Sequence, residues 1–187
     1  MDYSSYIWCH PYLRMEPEHC FVVDDGHGLA VGYLLGTPNT RSFVETYIQS
    51  YIPYLSSLGL HRPGPDEPTG WTENLPNALK VIMHCPEHLL HEDYPELLER
   101  CPAHIHIDLL PAYQRQGYGR ELIETFCAAV KAKAATGVHL TMAGDNVEAG
   151  KFYTRVGFKR FPQVLDGGMS GEEGRDKNGN IWQVRLL

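Results

Sequence analysis

Ile107-Asp108-Leu109-Leu110-Pro111-Ala112-Tyr113-Gln114-Arg115-Gln116-Gly117-Tyr118-Gly119 is the stretch whose reading decides the fold. It begins inside a strand, Ala103 to Leu110, with Ile105, Ile107 and Leu109 on one face and His104, His106 and Asp108 on the other. Pro111 stops the strand, and residues 114–119 then lead straight into a helix over 120–135. Leu122, Ile123, Phe126, Ala129 and Val130 recur on one side of that helix, which stops near Gly137. Gly117 and Gly119 carry no Cβ, so the backbone there can come close to a ligand. The first N–H groups of a helix lack internal partners, and the helix dipole favours an anion in front of them. The turn is therefore a pyrophosphate cradle, to which Arg115 or Arg120 can add charge-assisted contacts. The glycines alone are not specific. A Walker loop needs a Lys followed by Ser or Thr, a dinucleotide fingerprint needs a third glycine, and neither is present. A helix start that happens to contain two glycines is the plain alternative.

Working outward, Val138 to Met142 is the next strand. Asn146 can cap a helix carrying Ala149, Phe152, Tyr153 and Val156 as one stripe, ended by Gly157. Phe158 to Leu165 and Ile181 to Leu187 are two further strands. Upstream, Phe21-Val22-Val23, the turn Asp24-Asp25-Gly26 and Leu29 to Leu35 make a hairpin. Arg41 to Leu58 has helical spacing, with Pro53 expected to kink or divide it. The order after Ala103 is strand, helix, strand, helix, strand, strand. This predicts an α/β architecture of the α+β kind, a mixed sheet with helices on its faces.

The bulk numbers narrow the function. The chain has 187 residues, 43% hydrophobic and 21% charged, a globular composition that fits one domain over 1–187. Its net charge of −7 disfavours nucleic acid, and no apolar run reaches the length of a membrane span. The same charge is compatible with a cationic substrate such as a primary amine. Cys9, Cys20, Cys85, Cys101 and Cys127 are odd in number and unpaired in spacing, which points to reduced thiols and a cytoplasmic or nuclear setting. His84, Cys85, His88 and His91 invite a metal reading, but Pro86 and Pro95 interrupt a regular helix and no second cysteine pair completes the set. No metal is expected.

The run 107–119 resembles motif A of the GNAT acetyltransferases, whose signature is [QR]xxGx[GA] after a strand. About 27 residues on, Asn146-Val147-Glu148-Ala149-Gly150-Lys151-Phe152-Tyr153-Thr154-Arg155-Val156-Gly157-Phe158 resembles motif B of that superfamily. Two motifs in order, on the expected elements, make the resemblance specific, and it covers roughly Phe21 to Leu187. The wording from Ala103 to Pro111 is also similar to microbial relatives of the acetyltransferase-like C-terminal region of O-GlcNAcases.

The resemblance implies a GNAT fold, in which a mostly antiparallel sheet splays between the strands at 103–110 and 138–142. Acetyl-CoA is implied as acetyl donor. Backbone groups of Leu109 and Leu110 would bond its pantetheine arm, and Gln114, Arg115, Gln116, Gly117, Tyr118, Gly119 and Arg120 its pyrophosphate. Asn146 would touch the arm, besides or instead of capping its helix. Tyr153 would protonate the leaving thiolate; its plain alternative is a core aromatic. For the base that takes the amine proton, the candidates are His104, His106 and Asp108, unless a helix covers that face and leaves the histidines inert.

The implied reaction is transfer of acetyl to a primary amine by direct attack in a ternary complex. A small amine or amino sugar is the favoured acceptor, a protein or histone lysine the second, and a non-catalytic acetyl-CoA-binding or interaction module the third. The acceptor side would come from residues 41–76 and 166–180, where Tyr47, Tyr51, Tyr54, Trp71 and Trp182 either line the site or fill the core. Only 20 residues precede Phe21, so the first strand and helix of the family look trimmed. Either the domain is short there, or a partner subunit covers the exposed sheet edge as a homodimer.

Overall fold

The computed structural model describes residues 3–165 and 179–187. Six strands form one sheet in the order β1-β2-β3-β4-β6-β5, with β1 Phe21–Asp24, β2 Ala30–Thr37, β3 Ala103–Leu109, β4 Gly137–Ala143, β5 Lys159–Leu165 and β6 Asn180–Leu186. Every pairing is antiparallel except β3 with β4. That single parallel pair follows from the helix between them, α7 Tyr118–Ala132, which carries the chain back across the sheet. The α8 helix, Val147–Arg155, then links β4 to the β5–β6 hairpin. The mixed sheet and splayed parallel pair expected from the sequence are both present.

Alternation along β2 sorts the two cores. Leu34 faces α7 and packs with Ala103, Ile105, Ile123, Phe126 and Val138. Leu35 faces the opposite side and packs with Tyr12, Phe43, Tyr47, Tyr51 and Leu55. The ring of Phe126 lies so close to β2 that a Cβ at Gly36 would sit 2.6 Å from it. Arg185 of β6 grips Glu124 of α7 through two hydrogen bonds of 2.8 and 2.9 Å, and also donates to the carbonyl of Val156 at 3.0 Å. The guanidinium thereby ties α7, the end of α8 and β6 together.

The opposite face is covered by elements that the sequence only half declares. The helix expected over 41–58 is α3 Thr40–Thr46, a π-helical turn at Tyr47–Tyr51 and α4 Ile52–Ser57. Pro53 has no N–H to give and its ring crowds the carbonyl four residues back, so the chain opens by one residue instead of breaking. The N-terminal segment is two short helices, α1 Ser4–Trp8 and α2 His10–Met15, and β1 is the sheet edge with Val22 60% exposed. Two further helices, α5 Leu75–Met83 and α6 Pro95–Arg100, open on proline in a stretch for which no helix was expected.

Candidate active site

The loop 114–117 is held in shape by its own glutamines. Gln114 Nε2 donates to the carbonyl of Leu109 at 2.9 Å, and Gln116 Nε2 to that of Ala112 at 2.7 Å. The first ties the turn to the end of β3, and the second closes the turn on itself. Arg115 and Gly117 have positive φ, 61° and 99°, so the chain turns in a left-handed conformation and enters α7 without a side-chain cap. The first intrahelical bonds run from Arg120 and Glu121 to the Gly117 carbonyl, leaving the Tyr118 and Gly119 N–H groups without an intrahelical acceptor. A Cβ on Gly117 would meet nothing within 4 Å, so the space in front of the turn is open. Gly119 has a different duty: a Cβ there would stand 3.0 Å from Phe152 and 3.3 Å from Leu109. Its hydrogen lets α7 seat against α8 and β3.

A cavity of about 610 Å³ runs from this turn down to Tyr153, lined by Gly117, Gly119, Asn146 and Phe152 and flanked by Arg115, Arg120 and Arg155. Arg155 is a contributor that sequence reading did not single out. Glu148 stands 3.8 Å from Arg115, both well exposed, so that ion pair contributes little. Asn146 Oδ1 accepts from the N–H of Ala149 at 3.1 Å, a helix cap, while the residue also borders the cavity. The cavity exists because β3 and β4 pair only at Ala103 with Val138 and His104 with His139, then diverge.

The splay decides which backbone groups are free. The Leu110 N–H donates to Val31 at 2.9 Å and its carbonyl accepts from Tyr113 at 2.8 Å, so the Leu110 backbone serves β2 and the turn, not the notch. That corrects the expectation for Leu110. Strand alternation turns the neighbouring Leu109 N–H the other way, into the gap vacated by β4.

A second cavity, about 540 Å³, opens on the far side of the notch and is lined by Trp8, Tyr33, Trp71, His106, Asp108 and Tyr153, among others. Ile107, Asp108 and Tyr153 border both cavities. Tyr33 donates to Asp108 Oδ2 at 3.1 Å, holding an exposed carboxylate at the junction. Tyr153 is packed between Phe152 and Phe158, and burial, with the Asp108 charge second, pushes its phenol up to about 12. It therefore stays protonated throughout the physiological range and has a proton to give there.

Of the three candidate bases, His106 and Asp108 line the second cavity and His104 does not. His104 is 4% exposed and bonded to Thr40 and Tyr12 beneath α2 and α3, so the covering-helix alternative describes it. His106, two residues on, is half-buried and does line the second cavity. Tyr47, Tyr51 and Trp182 are buried core aromatics, while Trp71 reaches the cavity; most of the 166–180 segment falls outside the described residues. Trp8 and Tyr33 were not anticipated, since neither belongs to a motif. His84 Nε2–H donates to the Leu60 carbonyl, His88 Nδ1–H donates to the Cys85 carbonyl and His91 packs on Trp182. Among the described residues no group of three such side chains could hold a metal.

Burial holds His106 and His139 down to about 4, and His104 well below its ordinary range. In the unfolded chain the same imidazoles take up protons near pH 6.5. Between those limits the unfolded state binds more protons, so the fold loses stability as pH drops from about 6.5 to about 4. Melting temperature should fall steadily across that window. A flat profile there would show that these histidines protonate equally in both states.

Comparison with known proteins agrees with this geometry. A family model described as an acetyltransferase (GNAT) domain matches residues 90–160. The crystal structure of SsHAT is 35% identical over 98% of this chain and 80% of that one, with a TM-score of 0.79. Naa20 of Chaetomium thermophilum, solved in complex with a bisubstrate analogue, is 19% identical over 94% of this chain and 70% of that one, with a TM-score of 0.53, a likeness of fold alone. Together with the two motifs on their elements, these matches place the chain in the GNAT superfamily, whose members are acetyl-CoA-dependent acyltransferases.

Proposed function

We propose that this protein acetylates a small primary amine, an amino sugar or similar compound, by direct attack within a ternary complex. The observation that carries the reading is the meeting of two cavities at Ile107, Asp108 and Tyr153, one beside the phosphate turn and one opposite it. Acetyl-CoA, when bound, supplies the activated acyl group. Its pyrophosphate fits the open space before Gly117, the unpartnered amides of Tyr118 and Gly119, and the three arginines. The Leu109 N–H is aimed to polarise the thioester carbonyl in the notch.

From the other cavity, the Asp108 carboxylate draws in an ammonium group, and the Trp8 and Trp71 rings give the rest of the acceptor an aromatic wall. The neutral amine attacks the thioester carbon, and Tyr153 gives its proton to the departing sulfur. A cavity of about 540 Å³ suits a small molecule. Thiol release measured across a panel of amino sugars and aliphatic amines tests the reading. Turnover with lysine peptides but none of the small amines would overturn it.

Gly117→Ala isolates the cofactor side. With φ near 99°, an alanine costs about 1–2 kcal/mol of backbone strain, and its methyl projects into the phosphate space. Acetyl-CoA affinity should fall on the order of tenfold in calorimetric titration while the fold persists. Unaltered affinity would show that the pyrophosphate lies elsewhere.

A further inference from the structure

We propose that His106 is the base of this reaction, held in its working tautomer by a hydrogen-bonded relay through Tyr12, His104 and Thr40. The proposal rests on the acetyl-transfer reading above and adds to it the group that takes the amine proton.

The direction of the relay can be read from its far end. Thr40 Oγ1 lies 2.7 Å from the carbonyl oxygen of Pro102, and two oxygens at that distance need a proton between them. The Thr40 hydroxyl hydrogen therefore points at Pro102. The contact of 2.8 Å between Thr40 Oγ1 and His104 Nδ1 must then be donated by the histidine. A neutral His104 with its proton on Nδ1 leaves Nε2 bare, and Tyr12 donates to it at 2.6 Å. The Tyr12 oxygen, with its hydrogen committed, accepts the remaining contact from His106 Nε2–H at 2.9 Å. His106 is thus left with an unprotonated Nδ1, which no protein group bonds among the described residues. This residue lines the cavity assigned to the acceptor, and His104 does not.

The arrangement is rigid. Tyr12 stacks on Phe43 with ring centroids 4.6 Å apart and is 2% exposed, so its hydroxyl cannot swing away from either imidazole. The titratable groups around His106 are Tyr12 from α2, His139 from β4, His88 from the turn 86–90, and His104 and Asp108 of its own strand. Asp108 is the only carboxylate among them and is already engaged by Tyr33.

In the step, the amine nitrogen bonds to the thioester carbon and the carbon–sulfur bond breaks. The nitrogen's proton moves to His106 Nδ1, and the sulfur keeps the bonding pair and receives the Tyr153 proton. The imidazolium so formed is stabilised by the Tyr12 oxygen at Nε2–H, with the Tyr12 hydroxyl leaning on His104; it returns its proton to solvent through the cavity, and the Tyr153 phenolate regains one from the same solvent, so no net proton is gained or lost. The N-terminal helix α2, outside both sequence motifs, thereby becomes part of the catalytic apparatus.

Two measurements test this. Long-range proton–nitrogen correlation spectra of the unliganded protein at neutral pH should show His104 protonated at Nδ1 and His106 at Nε2. Tyr12→Phe, which keeps the stacked ring, should release His106 into a tautomer mixture. This arm needs no acceptor, so it decides the relay even if the amine panel gives no turnover, a result that would count against the proposed function alone. His106 found protonated at Nδ1 overturns the proposal. With glucosamine as acceptor probe, His106→Gln should lower kcat on the order of 10²-fold and leave KM for acetyl-CoA within twofold. Wild-type kcat in that variant overturns it too, as does a loss confined to Asp108→Asn.

Discussion

Tyr153→Phe should lower kcat for acetyl transfer by about 10²- to 10³-fold, with acetyl-CoA affinity and melting temperature close to those of the parent protein. The substitution removes one oxygen and leaves the ring packed between Phe152 and Phe158. Tyr153 borders both cavities, as does Asp108. A proton donor must still hold its proton at the working pH, and burial keeps this phenol's pKa near 12, well above that range. Loss of the donor should fall on the step in which sulfur leaves, so a better leaving group should restore part of the rate. Acetyl transfer from an acetyl thioester of a more acidic thiol provides that comparison. Parent-like kcat in Tyr153→Phe would remove the residue from the chemistry and return it to the core.

Phe126→Ala should cost about 4 kcal/mol of stability and lower the melting temperature by roughly 10 °C. Phe126 is fully buried at the centre of α7 and lies against Gly36, where no side chain can follow it into the space it vacates. Backbone at Gly36 forms part of the wall of the cavity left behind, and the loss belongs near the middle of the range for aromatic truncation. Because α7 begins at the glycine turn proposed to hold the pyrophosphate, acetyl-CoA should recover part of the lost stability by binding the folded form. A melting point within 2 °C of the parent would show that the α7–sheet interface repacks.

The site was unevenly legible. Gly117, Gly119, Asn146 and Tyr153 stand at fixed spacings on a strand–helix–strand–helix run, and spacing within one or two elements is local information. Pro53 announced an irregularity, but not that the chain would absorb it as a π-helical turn. Leu110 illustrates the limit differently. Its position in the motif was visible, yet strand pairing turns its N–H toward Val31, and pairing register is a property of two strands together.

The histidines show the same division most sharply. Alternation along β3 put His104, His106 and Asp108 on one face, and the structure keeps them there. Which of the three meets solvent depended on what covered that face, and the cover is Tyr12 and Thr40, 92 and 64 residues away from His104. The same long-range packing brought Trp8 and Trp71 to one cavity. Local chemistry along the chain determined the glycine turn before α7, the order of elements after Ala103 and the two-motif frame, because helix starts, strand periods and glycine turns are encoded within a few residues. Only the tertiary structure decided that His104 is sealed and His106 open, since burial and hydrogen-bond direction are set by neighbours that sequence distance conceals.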